Sequence, residues 1–297
     1  MQIRHMEQPI TSNTFTLSDT PDRLGWLVPT DPNQSRENLL AQFQAQGYLW
    51  LKRILKRDNV LDFRRRFFEA FADTGLLAEG FKPVEGLYSG TGKGRVSKIM
   101  AEIVQWASYE AFCLAPEIWQ FYEKLLGGPV YLHKRKLIRA TTPDDSCTGA
   151  HYDLTYLRAG TDRVCTSWIP IGDIPVEMGG LVYLEGSDGL GRQLEAEFSA
   201  KNAQLSPEER ISAYNKNMSE TGWLTKDLPS LANRLNSRWL MADYEAGDLV
   251  VHSPYMIHAS TSNTRMNMRL STDIRYQLVR DEIDPRWTTN WSPDDKL

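Results

Sequence analysis

The sequence predicts a mainly β domain with helices on its flanks, and three observations carry that expectation. From about residue 129 the chain breaks into short β-rich runs: "PVYLHKRKLIRA", "DLTYLRA", "VCTSWIPIG", "GLVYLEGS", "GDLVVHSP" and "MRLSTDIRYQLV". Gly, Pro, Asp and Ser separate them, as turns require. Helix-period segments do not alternate with these runs, so an antiparallel sandwich or barrel is expected rather than a doubly wound sheet. Finally, 297 residues that are 41% hydrophobic and 24% charged suffice for one sizeable core.

Taken in order, "SRENLLAQFQAQG" reads as a helix. Ser35 caps it, Leu39, Leu40 and Phe43 share a face, and Gly47 stops it. "YLWLKRIL" follows as a short strand. "DNVLDFRRRFFEAFADTG" is a second helix with Val60, Leu61, Phe67, Phe68 and Phe71 inward and Gly75 at its end. "APEIWQFYEKLLGG" is a third, with Pro116 in the first turn and Gly127 after the last. Residues 189–242 interrupt the β region with polar, helix-like sequence whose Ser206 and Glu209 form a capping box around Pro207. An insertion of that length between strands serves as a lid or a decoration. The organisation expected is one domain over 1–297: a supporting region at 1–128, a β core at 129–188 and 243–280, and a lid-like insertion at 189–242.

Composition removes several function classes. The net charge is −4, which provides no basic field for nucleic acid. No run approaches membrane-spanning length, and "MQIRHMEQPITSNTF" lacks a signal peptide's apolar stretch. The terminal "DKL" has Asp295 where a peroxisomal tripeptide needs a small residue. Cys113, Cys147 and Cys165 are scattered and form no CxxC pair, so neither disulfides nor structural zinc is expected, and a reducing cytoplasm fits best. The basic tract from Lys52 to Arg66 reads as a solvated helix face. "SGTGKGR" at 89–95 fails as a phosphate loop because Gly94 follows Lys93 where Ser or Thr is needed. It reads instead as a mobile glycine-rich loop near a site entrance, where Lys93 or Arg95 meets substrate. In "LHKRKLIR", Lys134, Arg135, Lys136 and Arg139 alternate faces, and one side is expected to line the barrel interior.

The chemistry centres on "GAHYDLTY", residues 149–156. In a strand His151 and Asp153 project from one face, with Tyr152 opposite, so a nitrogen and an oxygen reach one ion without backbone contortion. A third ligand is needed, and besides the terminal His5 the chain offers His133, His252 and His258. His258 stands at the polar end of a β run, whereas His252 sits within the strand. Eleven positions after His258 (269 − 258 = 11) comes Arg269, opening a strand. A two-histidine, one-carboxylate triad leaves positions of an octahedral iron open for a chelating keto acid and dioxygen. The distal carboxylate of such an acid wants the fixed, always-charged fork of an arginine.

"HYD", the His of "MIHAS" and the Arg of "NMRLS" resemble the Fe(II)/2-oxoglutarate dioxygenases of the phytanoyl-CoA dioxygenase type. The likeness covers most of the chain. "GYLWLKRIL" is similar to that family's first core strand, and "TSWIPIGDIPVEMGGLVYLEGS" to its Trp-x-Pro strand and Gly-rich turn. The resemblance implies a double-stranded β-helix, a jelly-roll barrel with N-terminal helices outside it and the insertion over its mouth. It implies that His151, Asp153 and His258 bind Fe(II). It also implies that Arg269 and Ser260 hold the distal carboxylate of 2-oxoglutarate in a pocket lined by Trp168. The reaction implied hydroxylates an unactivated C–H bond of a small organic molecule, consuming dioxygen and releasing succinate and carbon dioxide. Two rivals remain. A metal hydrolase or isomerase on the same barrel has no need for Arg269, and a non-catalytic binding member would not be expected to retain both triad and arginine.

Overall fold

The computed structural model describes residues 8–293, so His5 and the terminal "DKL" lie outside the described residues. Two short strands, β1 (Thr11–Ser12) and β2 (Phe15–Thr16), pair as a hairpin, followed by β3 (Leu24–Trp26) and β4 (Pro29–Thr30). Helix α1 (Arg36–Gln46) starts where the Ser35 side chain accepts from the Asn38 N–H and ends at Gly47, whose φ of 76° is left-handed. Strand β5 (Tyr48–Leu51) leads into α2 (Arg57–Glu69). Next come α3 (Val96–Ile103), α4 (Ala107–Cys113) and α5 (Pro116–Leu126), the last closed by left-handed Gly127. Strands β6 (Val130–Leu132) and β7 (Leu137–Thr141) precede α6 (Leu154–Leu157), β8 (Cys165–Pro170) and β9 (Leu181–Leu184). Three helices follow: α7 (Asp188–Lys201), α8 (Pro207–Thr221) with its capping box at Ser206 and Glu209, and α9 (Leu228–Arg234). The chain then adds β10 (Trp239–Met241), β11 (Leu249–His252), β12 (His258–Ser260) and β13 (Arg269–Leu278).

These strands form two principal sheets. One runs β12-β9-β10-β3; the other runs β4-β5-β11-β8-β13-β6, with β7 also pairing β13. Most pairings are antiparallel, as the turn-separated runs predict, but β3 joins β10 and β4 joins β5 in parallel. The N-terminal region therefore contributes β3 to one sheet and β4 and β5 to the other, and β10 makes the last residues of the 189–242 segment part of a sheet. The sheets meet face to face through Tyr48, Trp50, Trp168 and Val250 from one and Leu181, Tyr183 and Leu240 from the other.

Strand β13 shows how alternation positions a site. Leu270, Ile274 and Tyr276 pack outward against the helices, stacking with residues such as Tyr122 (4.5 Å between ring centroids). The intervening residues, from Arg269 to Arg275, face inward. All ten residues of the strand are buried, so this inward polar row has no solvent to satisfy it. Phe67, Phe68 and Phe71 of the α2 region complete the outer core as expected, whereas α2 stops at Glu69 and a single 3-10 turn carries the chain to Gly75.

One local expectation needs correction. "DLTYLRA" is not a strand: Asp153 is in the right-handed helical region and begins α6, because the Leu154 N–H bonds to the Pro254 carbonyl. Four residues rich in β-formers are too few for propensity to outweigh such tertiary contacts. The glycine-rich loop stands apart from the cavity described below. Lys93 is paired to Asp145 at 2.8 Å and sits over the Tyr88 ring, and neither it nor Arg95 reaches the cavity described below. The Lys52–Arg66 tract is largely self-satisfied. Lys52 and Arg53 meet Glu245, Arg57 meets Asp173, and Arg65 and Arg66 meet Asp62. Arg64 is buried and donates to the Val84, Ile171, Glu85 and Met268 carbonyls. The three cysteines are buried free thiols, and among the described residues no helix is long and apolar enough to cross a membrane.

Candidate metal centre

His151, Asp153 and His258 each present a ligand atom, and these atoms lie within 4.8 Å of one another in the interior. The backbone sets this up. His151 and His258 form an isolated antiparallel bridge in which each N–H donates to the other's carbonyl, at 3.0 and 2.9 Å. Their rings consequently stand 4.3 Å apart between centroids. Each ring is oriented by the carbonyl two residues before it: His151 Nδ1 is 2.9 Å from the Gly149 carbonyl, and His258 Nδ1 is 2.9 Å from the Met256 carbonyl. A carbonyl accepts only, so both Nδ1 atoms carry a proton, and Nε2 is the atom each ring can offer to a metal. Those two Nε2 atoms face Asp153 Oδ1 at 3.6 and 3.7 Å.

The other carboxylate oxygen is fully occupied. Asp153 Oδ2 accepts from Thr166 Oγ1, from Arg275 Nη2 at 3.2 Å and from His252 Nε2 at 3.4 Å. These donors are cross-strand neighbours: Thr166 of β8 pairs with His252 of β11 on one side and Arg275 of β13 on the other. One row across three strands thus fixes the rotation of a carboxylate arriving from the loop. Burial pushes the Asp153 carboxyl up, but Arg275 and the three histidines outweigh it and hold the group well below the usual carboxylate range. Burial, with His151 and His252 beside it, pushes His258 well below its ordinary value and keeps it neutral. Two neutral imidazole nitrogens and one anionic oxygen converging on one point, on one side of a cavity, are the donors a divalent transition metal takes.

His252 therefore stands one layer behind the donors. Its Nδ1 is 3.1 Å from the Tyr183 hydroxyl of the opposite sheet. His133 is elsewhere, bonded to Gln277 at 2.7 Å.

Arg269 is buried and, among the described residues, forms no salt bridge. Its Nη1 donates to the Gly179 carbonyl at 2.6 Å and its Nη2 to Thr141 at 3.0 Å, while Nε has no partner. Burial and nearby Arg139 push it down to about 10. A buried guanidinium without a counter-charge is costly to leave uncompensated. Ser260 accepts from the Thr148 N–H at 2.9 Å, and Trp168 packs on Tyr244 at 4.6 Å between ring centroids.

Beside the donors opens a cavity of about 220 Å³ lined by Arg135, Leu137, Arg139, Tyr156, Trp223, Arg275 and Trp287, with His151 and Asp153 in its wall. Arg135 and Arg139 thus realise the inward side expected of "LHKRKLIR"; Lys134 points outward to Glu110, and Lys136 packs by Tyr109. Tyr152, between the two donors, is clamped from α7: its hydroxyl donates to Glu195 at 3.0 Å, and Arg158 bonds both. Sequence reasoning did not single out Thr166, Arg275, Glu195, Trp223 or Trp287. For Arg275 a signal existed, since it lies an even number of residues after Arg269 on one strand.

Residues 43–271 match the sequence profile of phytanoyl-CoA dioxygenase (PhyH). The chain is 25% identical over 274 residues to the 1-deoxypentalenic acid 11-beta-hydroxylase of Streptomyces exfoliatus, a match covering 89% of this chain and 87% of that protein. Its fold is that of the non-heme alpha ketoglutarate dependent carbocyclase SnoK from nogalamycin biosynthesis, with TM-score 0.55 and 21% identity over 87% of this chain and 90% of that one. EctD from S. alaskensis with bound Fe aligns at TM-score 0.54 and 14% identity, over 94% of this chain and 90% of that one. The class is thereby defined: the protein is an Fe(II)/2-oxoglutarate-dependent dioxygenase. The chain belongs to the phytanoyl-CoA dioxygenase family.

Proposed function

We propose that His151, Asp153 and His258 hold the ferrous ion, through the two Nε2 atoms and Asp153 Oδ1, and that the enzyme hydroxylates a C–H bond of a small organic molecule. The observation that carries this reading is the division of labour on Asp153: three donors engage Oδ2, and both imidazole Nε2 atoms face Oδ1. We assign Arg269 to the distal carboxylate of 2-oxoglutarate, with Ser260 adding its hydroxyl proton and Trp168 walling the pocket through Tyr244. The uncompensated charge and partnerless Nε of Arg269 support that role.

Bound iron supplies the dioxygen chemistry that no side chain offers. The protein's own residues orient and exclude. The Gly149 and Met256 carbonyls keep both imidazoles in one tautomer. Arg275 and the neighbouring histidines keep the carboxylate ionised, and Thr166, His252 and Arg275 keep it turned. Leu137, Tyr156, Trp223 and Trp287 shield the reacting carbon from water.

The two facing sheets are read as the halves of a double-stranded β-helix within a single domain, with 1–128 supporting it. Met218 and Trp223, which reach the cavity from the helical insertion, support its reading as a cover over the mouth. The relative's activity, 11-beta-hydroxylation of 1-deoxypentalenic acid, makes a compact carbon skeleton a fitting substrate. The test is anaerobic loading with iron and 2-oxoglutarate, then oxygen exposure with candidate substrates. Stoichiometric iron and succinate release dependent on Asp153 are expected. An Asp153→Ala variant that binds iron as the parent does would overturn the assignment.

A further inference from the structure

The cavity beside the donors carries more positive charge than the reaction needs. Arg135, Arg139 and Arg275 all line it, and among the described residues Asp153 is the only acid that does; the free donors considered next belong to Arg139 and Arg275. Asp153 is committed to the metal donors and to Arg275. Arg139, on the inward face of β7, spends only its Nε, on Asp273 at 3.0 Å; its Nη groups donate to no described residue. Its side chain is 45% exposed, which within this concave wall leaves the guanidinium fork open to an incoming group. Arg275 is 4% exposed and has two nitrogens, Nε and Nη1, without any partner, although its guanidinium lies 4.6 Å over Trp287. A buried guanidinium left two hydrogen bonds short is costly unless an anion completes its surroundings.

The opposite walls have another character. Leu137, Tyr156, Met218, Trp223 and Trp287 present apolar and aromatic surface. Small volume, apolar walls and one basic end together describe a compact hydrocarbon bearing a single planar anion.

We infer that the substrate is a small carboxylic acid, its carboxylate received by Arg139 with Arg275 behind it and its hydrocarbon part lying against Trp223 and Trp287. This deepens the oxygenase reading and rests on it. Arg269, on the same strand but engaged with Gly179 and Thr141, belongs to the co-substrate. Two carboxylates are thus sorted to two arginine sites. Because Arg275 also bonds Asp153, the acid is anchored one residue from the metal donors.

The experiment uses cyclohexanecarboxylate and cyclohexanecarboxamide, a matched acid and neutral amide, titrated calorimetrically into protein loaded anaerobically with iron and saturating 2-oxoglutarate. The acid should bind at least about tenfold more tightly than the amide, from charge-assisted bonds that the amide cannot make. Raising 2-oxoglutarate should not displace it. Arg139→Gln should weaken the acid about tenfold or more while sparing the amide and 2-oxoglutarate; Arg139→Lys should recover part of the loss. Far-UV circular dichroism checks that each variant is folded. Equal binding of acid and amide, competition between the acid and 2-oxoglutarate, or an Arg139→Gln variant with unchanged acid affinity each overturns the inference. The visible charge-transfer band of the iron–2-oxoglutarate complex, recorded on the same samples, reports separately whether the metal reading holds.

Discussion

Replacing His252 by Phe isolates what a histidine one layer behind the metal donors contributes. The substitution keeps an aromatic ring in contact with Tyr183 and His258, whose ring centroids lie 5.4 and 4.5 Å away, and removes both nitrogens. Asp153 Oδ2 loses one of its three donors and keeps Thr166 and Arg275. A hydrogen bond to a charged group is worth about 1.5–3 kcal/mol. At 3.4 Å the His252 bond sits at the long end, so the lower figure applies, about tenfold in metal affinity. A directly coordinating imidazole would cost far more. Sharing roughly 10–16 kcal/mol among four ligands gives about 2.5–4 kcal/mol each, or about a hundredfold to a thousandfold. The Tyr183 hydroxyl also loses its partner, which should lower global stability by about 1–3 kcal/mol. Anaerobic Fe(II) or Mn(II) calorimetry reads the first effect, and denaturant unfolding reads the second. Affinity within twofold of the parent would show that the row of donors does not orient Asp153, whereas a loss beyond a hundredfold would make His252 a ligand.

Arg269→Gln should raise the Kd for 2-oxoglutarate at least about tenfold and leave metal affinity near the parent value, measured by the same titrations. Burial pushes His133 down to about 4 from 6.5, so the unfolded chain binds a proton there that the native protein refuses. Stability should therefore fall as pH drops from about 6.5 toward 4, by up to about 1.4 kcal/mol per pH unit, and His133→Asn should remove that part of the slope in denaturant unfolding. Gly191→Ala should destabilise by about 1–3 kcal/mol, because a Cβ there would stand 1.9 Å from the Tyr255 carbonyl oxygen and push α7 outward. Since α7 carries Glu195, the same variant should loosen Tyr152 and slow turnover more than its stability loss explains, which a comparison of kcat and unfolding curves will show.

That His151, Asp153 and His258 come together was readable because metal binding needs particular residue types at particular separations. His151 and Asp153 are adjacent but one, and Arg269 follows His258 at a spacing that few other functions require. Helices with end signals, such as Ser35 to Gly47, were equally plain. What escaped was whatever depends on a neighbour distant in sequence. Thr166 reads as an ordinary strand threonine until β8 is set between β11 and β13. Glu195 reads as one more acid on a polar helix until α7 packs against Tyr152. The segment at 96–113 holds two helices of eight and seven residues, too short for periodicity to stand out. The parallel pairing of β3 with β10 joins short segments from opposite ends of the chain, and nothing local encodes it.

The reciprocal backbone bridge between His151 and His258 bears on how the enzyme is armed. Main-chain bonds bring the imidazoles into register. A site held by main-chain bonds should fold without its ion, so iron should be able to enter afterwards and leave again without unfolding the protein. Loading becomes a matter of supply in the cell, and a chelator should disarm this enzyme without denaturing it.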